Sequence, residues 1–358
     1  MQYKKLGNSG LDVSPICIGC MGFGQPEQGY PAWSLDEDES RTLIRHAVEA
    51  GINFFDTANL YSTGSSEEFV GRALKDFVHR DAVVIATKLS APTRNGPNVY
   101  GLSRKAIMAE VDHSLRRLGT DYIDLYQIHR RDQLTPWEET LEALHDLVKM
   151  GKVRYIGASS MMAWEFSKAL HLQKAHGWAR FISMQDNYNL LAREEEREML
   201  PLCADEGVQT MVYSPLARGR LARPWGQVTE RSKAEPSGAA QGSVTAASDQ
   251  KIIEALAAVA ARRGENQAQI ALAWLFRNPV VAAPIVGALK TRHIDDAVAA
   301  LSITLTDEEA KQLEAPYTPR QDHQGVSVPA LLHRAAEAAT GFRADAAIPA
   351  SAQSHQSK

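Results

Sequence analysis

The chain has 358 residues, of which 44% are hydrophobic and 23% are charged, and these proportions are those of a globular protein that buries a large core without disulfides. The formal net charge of −4 gives no general attraction to nucleic acid or to anionic lipid. The first residues contain no apolar signal core, and no later stretch is long enough to span a bilayer. We therefore expect neither nucleic acid nor a membrane as a partner, and the cytoplasm as the default compartment.

The three cysteines are too few, and odd in number, for a disulfide framework. Cys17 and Cys20 form a Cys-x-x-Cys pair, but they lie in an apolar segment that is typical of a buried strand. A redox pair of this spacing usually opens a helix. We therefore favour two buried thiols over a redox pair.

Short apolar runs alternate with longer amphipathic stretches along the whole chain. The predicted strands are residues 16–19, 53–56, 83–87, 123–129, 153–157, 181–185, 209–213 and 283–286. The predicted helices are residues 38–50, 66–78, 104–118, 137–150, 163–175, 194–205, 249–263 with 267–277, and 292–301.

This repeated order of strand and helix predicts parallel strands joined by crossover helices. Fully apolar runs such as residues 82–86 are typical of strands that are covered on both faces. Ser66 and Ser103 are predicted helix N-caps, and Gly177 and Gly207 are predicted helix ends. The alternation fits a closed barrel and an open doubly wound sheet equally well.

Three segments lie outside the repeat. Residues 1–15 predict a hairpin that turns at Asn8-Ser9-Gly10 and covers the N-terminal end of the sheet. Residues 219–248 lack periodicity and are too long for an ordinary loop, so we expect a mobile loop there. We assign one domain to residues 1–318, and a C-terminal extension with a disordered end to residues 319–358.

Polar residues decide between the barrel and the open sheet, because they fall where the predicted strands end. In strand order they are Asp56, Lys88, His129, Ser159 with Ser160, Gln185, Tyr213 and Gly287. The C-terminal ends of the strands in a parallel barrel meet on one face, and barrel enzymes have their active sites there. The sequence therefore predicts the α/β class and a single (β/α)8 TIM barrel, with an N-terminal hairpin and a long loop after the seventh strand.

The most distinctive cluster contains Asp56, Tyr61, Lys88 and His129. A phenol titrates near about pH 10 and is a poor acid at neutral pH, but an adjacent ammonium lowers its pKa. A carboxylate keeps the ammonium charged, and a histidine can orient a carbonyl or share the proton. Each residue alone has an ordinary structural interpretation, such as packing or helix capping. Together they predict a general acid that protonates an oxyanion formed by hydride addition.

A set of ordered motifs gives the chain a resemblance to a known family. The motifs are residues 19–24, 53–61, 86–88, 122–130, 151–160, 213–219 and 284–288. Over residues 3–319 the chain resembles the aldo-keto reductase superfamily. Within it, the chain is similar to the group of bacterial oxidoreductases related to potassium-channel β subunits.

The resemblance implies reversible reduction of an aldehyde or ketone to an alcohol, with NADPH/NADP+ as cofactor and a small carbonyl compound as substrate. It implies that Tyr61 donates the proton, that Lys88 and Asp56 tune Tyr61, and that His129 orients the substrate carbonyl. No Gly-x-Gly-x-x-Gly fingerprint follows a strand, so the cofactor would not be held by a Rossmann unit.

The resemblance also implies the cofactor contacts. These are Met21, Gly22, Asp56, Ser159, Ser160, Gln185, Tyr213, Ser214, Pro215, Leu216, Arg218, Gly287, Ala288, Lys290, His293 and Asp296. Tyr213 would stack on the nicotinamide, and Ser159 with Gln185 would bind its carboxamide. Lys290 and His293 would hold the adenosine 2′-phosphate. A neutral imidazole grips phosphate less firmly than arginine does, so NADH remains an alternative.

Four residues are predicted to line the substrate pocket: Trp33, Tyr61, His129 and Arg131. Arg131 has two interpretations, as a solvated loop residue or as a cation that biases the pocket toward acidic or polar substrates. His323, His333 and His355 lack metal-ligand spacing, so we assign no metal.

Two other functions compete with a carbonyl reductase. One is a regulatory subunit that binds NADP(H) and turns over slowly, and the other is a phosphate-binding barrel isomerase or aldolase without nicotinamide. The sequence leaves open the physiological substrate, the preferred direction and the oligomeric state.

Overall fold

A computed structural model describes residues 1–25, 27, 33–90, 93, 96, 98–229 and 245–320, and the backbone of residues 322–323 and 326–327. In it, eight parallel strands close into one barrel with helices around it, so the fold is the predicted (β/α)8 TIM barrel.

The strands are β1 (Lys4–Lys5), β2 (Asp12–Val13), β3 (Cys17–Gly19), β4 (Phe54–Asp56), β5 (Val84–Leu89), β6 (Ile123–Ile128), β7 (Val153–Ser159), β8 (Phe181–Asn187), β9 (Gln209–Tyr213), β10 (Val281–Val286), β11 (Asp322–His323) and β12 (Val326–Ser327). The helices are α1 (Glu37–Glu49), α2 (Ser65–Phe77), α3 (Arg104–Leu118), α4 (Trp137–Lys149), α5 (Ala163–His176), α6 (Met199–Glu206), α7 (Ala246–Arg263), α8 (Gln267–Phe276), α9 (Thr291–Ala300) and α10 (Asp307–Glu314). The barrel consists of β3 to β10 in chain order, and β10 closes it by pairing with β3.

The barrel separates two apolar cores. The inner core fills the barrel and contains Leu6, Val13, Cys17, Phe54, Val84, Ala86, Leu125, Ile182, Met211, Ala282, Ala283 and Ile285. The outer core lies between the strands and the helices, and alternate strand residues such as Ile18, Phe55, Ile85 and Tyr126 contribute to it. Strands that are buried on both faces explain the continuous apolar runs in the sequence.

The N-terminal hairpin covers one end of the barrel, as predicted. β1 and β2 pair antiparallel, and the amide of Leu6 donates to the carbonyl of Leu11 at 3.0 Å. The amide of Gly7 donates to Gln209 Oε1 at 3.0 Å, and the amide of Asn8 donates to the Gly207 carbonyl at 2.8 Å. Because Gln209 begins β9, the hairpin covers the end of the barrel at which the strands start.

Several barrel strands extend beyond the polar residues at which they were predicted to end. Lys88 precedes the last residue of β5, and Gln185 lies two residues before the end of β8. His129 follows β6 instead of ending it. The strand ladder continues past the polar residues through the pairs Leu89–Ile128 and Asn187–Tyr213, because backbone pairing does not require an apolar side chain.

The helix predictions need three corrections. Ser66 is not an N-cap, because α2 begins one residue earlier and its N-cap is Gly64. Residues 194–205 do not form one helix: a short 3-10 turn at Glu194–Glu196 precedes α6, since Glu198 has a non-helical backbone. Helix α10 was missed, although Thr306 and Glu309 form its capping box.

Two predicted segments fall largely outside the described residues. Of the predicted mobile loop, residues 230–244 lie outside them, while α7 already begins at Ala246. Of the C-terminal extension, residues 321, 324–325 and 328–358 lie outside them. Within the described part of the chain, the helices are all too short or too polar to cross a lipid bilayer.

Candidate active site

A fully buried lysine, Lys88, lies at the centre of the predicted cluster of Asp56, Tyr61, Lys88 and His129, which we call the tetrad. Lys88 has no exposed surface, and its Nζ donates hydrogen bonds to Asp56 Oδ1, to the Thr57 carbonyl at 2.9 Å and to the Tyr61 hydroxyl at 3.1 Å. These three bonds use all three protons of an ammonium group. The structure therefore brings Asp56, Tyr61 and Lys88 together as predicted.

The environment of Lys88 keeps it charged. Burial alone would lower the pKa of the Lys88 ammonium, but the Asp56 carboxylate and the Tyr61 phenol outweigh burial and raise this pKa well above its usual value. At neutral pH the site therefore contains an ammonium group bonded to a carboxylate and a phenol.

Two buried glutamines fix the second oxygen of Asp56. Gln127 Nε2 and Gln185 Nε2 donate to Asp56 Oδ2 at 2.9 and 3.0 Å. Gln185 Nε2 also lies 3.2 Å from Gln127 Oε1. Gln127 was not predicted, although every second residue from Leu125 to His129 faces the barrel interior and this alternation contained the signal.

Tyr61 begins a short turn of unusual backbone geometry. Tyr61–Gly64 form a 3-10 turn in which Ser62 and Thr63 are left-handed, with φ of 43° and 53°. Burial raises the pKa of the Tyr61 phenol, and the nearby Lys88 charge only opposes this rise. The expected net lowering of the Tyr61 pKa was therefore wrong, because desolvation outweighs the ammonium. Tyr61 keeps its proton at neutral pH.

His129 lies beside Tyr61 at the end of β6. Its backbone amide donates to the Leu89 carbonyl at 2.8 Å, and its ring meets the Tyr61 ring edge-on, with 5.9 Å between centroids. Burial and the charges of Lys88 and Arg130 hold the pKa of His129 well below its usual value. Among the residues that the structure describes, none is hydrogen-bonded to the buried His129 Nδ1. A neutral imidazole therefore faces the phenol.

The residues predicted to bind the carboxamide lie on the neighbouring strands. Ser159 ends β7, and its hydroxyl donates to the Gln185 carbonyl at 2.9 Å and lies 3.1 Å from the Ser160 hydroxyl. Ser160 is left-handed, with φ of 53°. Tyr213 ends β9, next to Asn187 of β8. These residues thus lie at the same end of the barrel as the tetrad.

A tight turn follows Tyr213. Ser214, Ala217 and Arg218 all have positive φ, and the amide of Ala217 donates to the Ser214 carbonyl at 2.8 Å. Asn189 Nδ2 fixes the same carbonyl at 2.9 Å. Pro215 and Leu216 lie within this turn. The predicted cofactor contacts of this segment, Ser214, Pro215, Leu216 and Arg218, therefore lie together in the turn that follows β9.

Met21 and Gly22 belong to a 3-10 turn directly after β3. A Cβ atom at Gly22 would lie 2.8 Å from the Trp33 ring and 3.3 Å from the Leu289 side chain. Trp33 therefore packs over the end of β3, and any side chain at Gly22 would displace it.

The start of α9 has the donors that a phosphate needs. Its N-cap, Lys290, is exposed and makes no side-chain capping bond. His293 Nδ1 accepts a bond from the Leu289 amide at 3.3 Å, and burial lowers the pKa of this imidazole. Gly287 is exposed, with nothing within 4 Å of an added Cβ, and Ala288 beside it is buried. This open helix N-terminus suits an anion.

Two predicted site residues are bonded to their own surroundings. Asp296 accepts a 2.6 Å bond from Asn266 Nδ2. The Arg131 guanidinium donates to the Asp132 carbonyl and to the Thr135 carbonyl at 2.9 Å, and it stacks on Trp137 with 4.2 Å to the ring centroid. In this structure Arg131 stabilises its own loop.

The two cysteines of the Cys-x-x-Cys pair are fully buried in the first barrel strand and the turn after it. Burial raises the pKa of both thiols, which disfavours the reactive thiolate. Across the described ranges, no group of three or more His, Cys, Asp or Glu residues is arranged to hold a metal ion.

Comparison with known proteins gives one consistent result. The aldo/keto reductase family model matches residues 15–317. Versiconal hemiacetal acetate reductase of Aspergillus parasiticus is 46% identical over 348 residues, which cover 91% of this chain and 99% of that protein. Aldo-keto reductase AFTS1 of Alternaria alternata is 43% identical, and the alignment covers 88% of this chain and 91% of that protein. A putative aryl-alcohol dehydrogenase of Saccharomyces cerevisiae, AAD16, is 40% identical, and the alignment covers 88% of this chain and 97% of that protein.

The buried ion pair predicts a specific pattern of stability. Lys88→Met should lower the free energy of unfolding by about 3–5 kcal/mol, because it leaves the Asp56 charge buried without its cation. Adding Asp56→Asn should recover part of this loss, since the amide oxygen still accepts the bonds from Gln127 and Gln185. Urea denaturation of both single variants and the double variant measures this coupling. Strictly additive losses would contradict the ion pair.

Proposed function

This chain belongs to the aldo/keto reductase family of NAD(P)H-dependent oxidoreductases, and on that premise we propose that it reduces an aldehyde or ketone with NADPH, Tyr61 donating the proton. The names of two relatives, a hemiacetal acetate reductase and a putative aryl-alcohol dehydrogenase, support chemistry between a carbonyl and an alcohol. The main support for Tyr61 is its hydroxyl contact with the buried Lys88 ammonium at 3.1 Å.

Lys88 would act on Tyr61 when the proton leaves. The neutral phenol donates its proton to the carbonyl oxygen, and the phenolate that remains is stabilised by the ammonium. Asp56 keeps the ammonium charged and oriented, and Gln127 and Gln185 hold Asp56. Because these groups are already bonded in this arrangement, little reorganisation accompanies the proton transfer.

His129 would orient the substrate. Its ring is neutral and lies edge-on to Tyr61, so a carbonyl oxygen between the two side chains could accept bonds from both the phenol and the imidazole. A protonated imidazole would compete with Tyr61 as the acid, and the low pKa of His129 prevents this.

The described residues fit a nicotinamide dinucleotide phosphate. When bound, this cofactor supplies the hydride from C4 of its nicotinamide ring. Gln185 Nε2 is bonded to Asp56 and Gln127, so its Oε1 is the atom that would accept from the carboxamide. Lys290, His293 and the uncapped start of α9 would hold the 2′-phosphate, which NADH lacks. This donor set supports NADPH over NADH.

Removing the acid tests the proposal directly. Tyr61→Phe should lower the turnover number for a reactive aldehyde by about 10²–10⁴-fold, because the general acid is lost while the ring remains. NADPH affinity, measured by quenching of protein fluorescence, should stay unchanged. Tyr122→Phe is a matched control, since its hydroxyl bonds to Asp81 at the opposite end of the barrel. Parental turnover in Tyr61→Phe would contradict the assignment.

The two shifted pKa values predict the pH profile of reduction. Tyr61 has a raised pKa, so its acid form is present at neutral pH and is lost only as the pH rises above about 10. His129 has a lowered pKa, so its neutral form is present at pH 6.5 and is lost only at much lower pH. Turnover at saturating substrate and cofactor should therefore be flat from about pH 6 to 9. A fall centred near pH 6.5 that disappears in His129→Asn would contradict the neutral imidazole.

A further inference from the structure

A buried threonine connects the strand of Lys88 to the helix that follows Tyr61. Thr87 immediately precedes Lys88 in β5, and its side chain faces the outside of the barrel while Lys88 faces the inside. Thr87 Oγ1 donates a 2.6 Å hydrogen bond to Glu67 Oε1, and both residues are fully buried. Glu67 lies in the first turn of α2, three residues after Gly64, which ends the turn that begins at Tyr61. This bond therefore links β5, which carries Lys88, to α2, which follows the turn that carries Tyr61, on the outer side of the barrel wall.

Arg117 compensates the buried charge of Glu67. Arg117 Nε lies 2.5 Å from Glu67 Oε2, and its Nη2 lies 2.7 Å from Glu110 Oε1 and 3.2 Å from Ser114 Oγ. A carboxylate without exposed surface is unfavourable unless its charge and lone pairs are satisfied. Burial raises the pKa of Glu67, and Arg117 opposes that rise. The guanidinium thus ties α2 to α3.

The side chain of Arg117 also supports the turn that carries Tyr61. A Cβ atom at Gly64, where φ is +99°, would lie 2.6 Å from Arg117 Cδ and 3.0 Å from its Nε. Ser62 and Thr63 are left-handed in the same turn, a conformation that L-residues adopt only when their surroundings impose it. The aliphatic part of Arg117 is packed against this turn and supplies part of that constraint.

A second bond attaches the same helix to the strand of Asp56. Thr57 follows Asp56, and its Oγ1 lies 2.9 Å from the hydroxyl of Ser66, the residue before Glu67. The Ser66 hydroxyl also donates to the Cys20 carbonyl at 2.8 Å. Consecutive residues of α2 are therefore bonded to the neighbours of both members of the buried ion pair.

We propose that Thr87 and Glu67, braced by Arg117, are positioning residues that hold the Tyr61 hydroxyl within hydrogen-bond distance of Lys88 without touching substrate or cofactor. This proposal rests on the proposed role of Tyr61 as the acid. It attributes part of the turnover number to a polar network on the outer side of the barrel wall.

The test removes one hydroxyl at a time. Thr87→Val keeps the shape of the side chain and should lower the turnover number at least about tenfold, because small displacements of an acid have large effects on rate. The NADPH dissociation constant should stay within about twofold, and Thr87→Ser, which restores the donor, should restore turnover. Thr140→Val is the matched control: Thr140 is equally buried in α4, donates to the Leu102 carbonyl at 2.9 Å, and should keep parental turnover.

A crystal structure of Thr87→Val gives a readout that does not depend on activity. The Tyr61 hydroxyl should lie beyond hydrogen-bond distance of Lys88 Nζ, while Thr140→Val should retain the contact. Three results would overturn the proposal: parental turnover in Thr87→Val, an equal loss of turnover in Thr140→Val, or an unchanged Tyr61–Lys88 contact in the Thr87→Val structure.

If the parental protein reduces no carbonyl, the proposed function fails, and the crystal structures still decide the positioning role. If Thr87→Val does not fold, Thr87→Ala, which also removes the donor to Glu67, is held to the same two outcomes.

Discussion

The burial of one ammonium group is the constraint on which the site depends. Removing Lys88 from water carries a penalty of several kcal/mol, which is offset only if every proton of the ammonium finds an acceptor. Those acceptors are Asp56, the Thr57 carbonyl and Tyr61, and all of them come from the segment that starts at the end of β4. Placing Lys88 inside the barrel thus draws the carboxylate and the phenol to one point.

The barrel wall divides the supporting roles between its two faces. On the inside, Gln127 and Gln185 bond to the second oxygen of Asp56. On the outside, Thr87 bonds to Glu67 of the helix that follows the Tyr61 turn. Strand alternation allows adjacent residues, such as Thr87 and Lys88, to serve opposite faces of the same wall. The hairpin covers the end of the barrel at which the strands start, and these polar groups lie toward the other end.

The fold could be predicted from the sequence, and the tetrad proposed from it, because both leave local signals, namely alternating patterns and polar residues at strand ends. Asp56, Lys88 and His129 could be identified in this way. Glu67 could not, because a glutamate on an amphipathic helix looks like a solvent-facing residue. Nor could the direction of the Tyr61 pKa shift, which depends on the balance between burial and one nearby charge. The orientation of Arg131 depends on loop carbonyls and Trp137, which sequence spacing does not specify.

The protonation states of Lys88, Asp56 and Tyr61 at neutral pH test the central claim most directly, and neutron diffraction of a deuterium-exchanged crystal measures them. This arrangement of the buried ion pair predicts three deuterons on Lys88 Nζ, none on the Asp56 carboxylate and one on the Tyr61 oxygen. A deuteron on Asp56 beside a neutral lysine, or an ionised Tyr61, would contradict it.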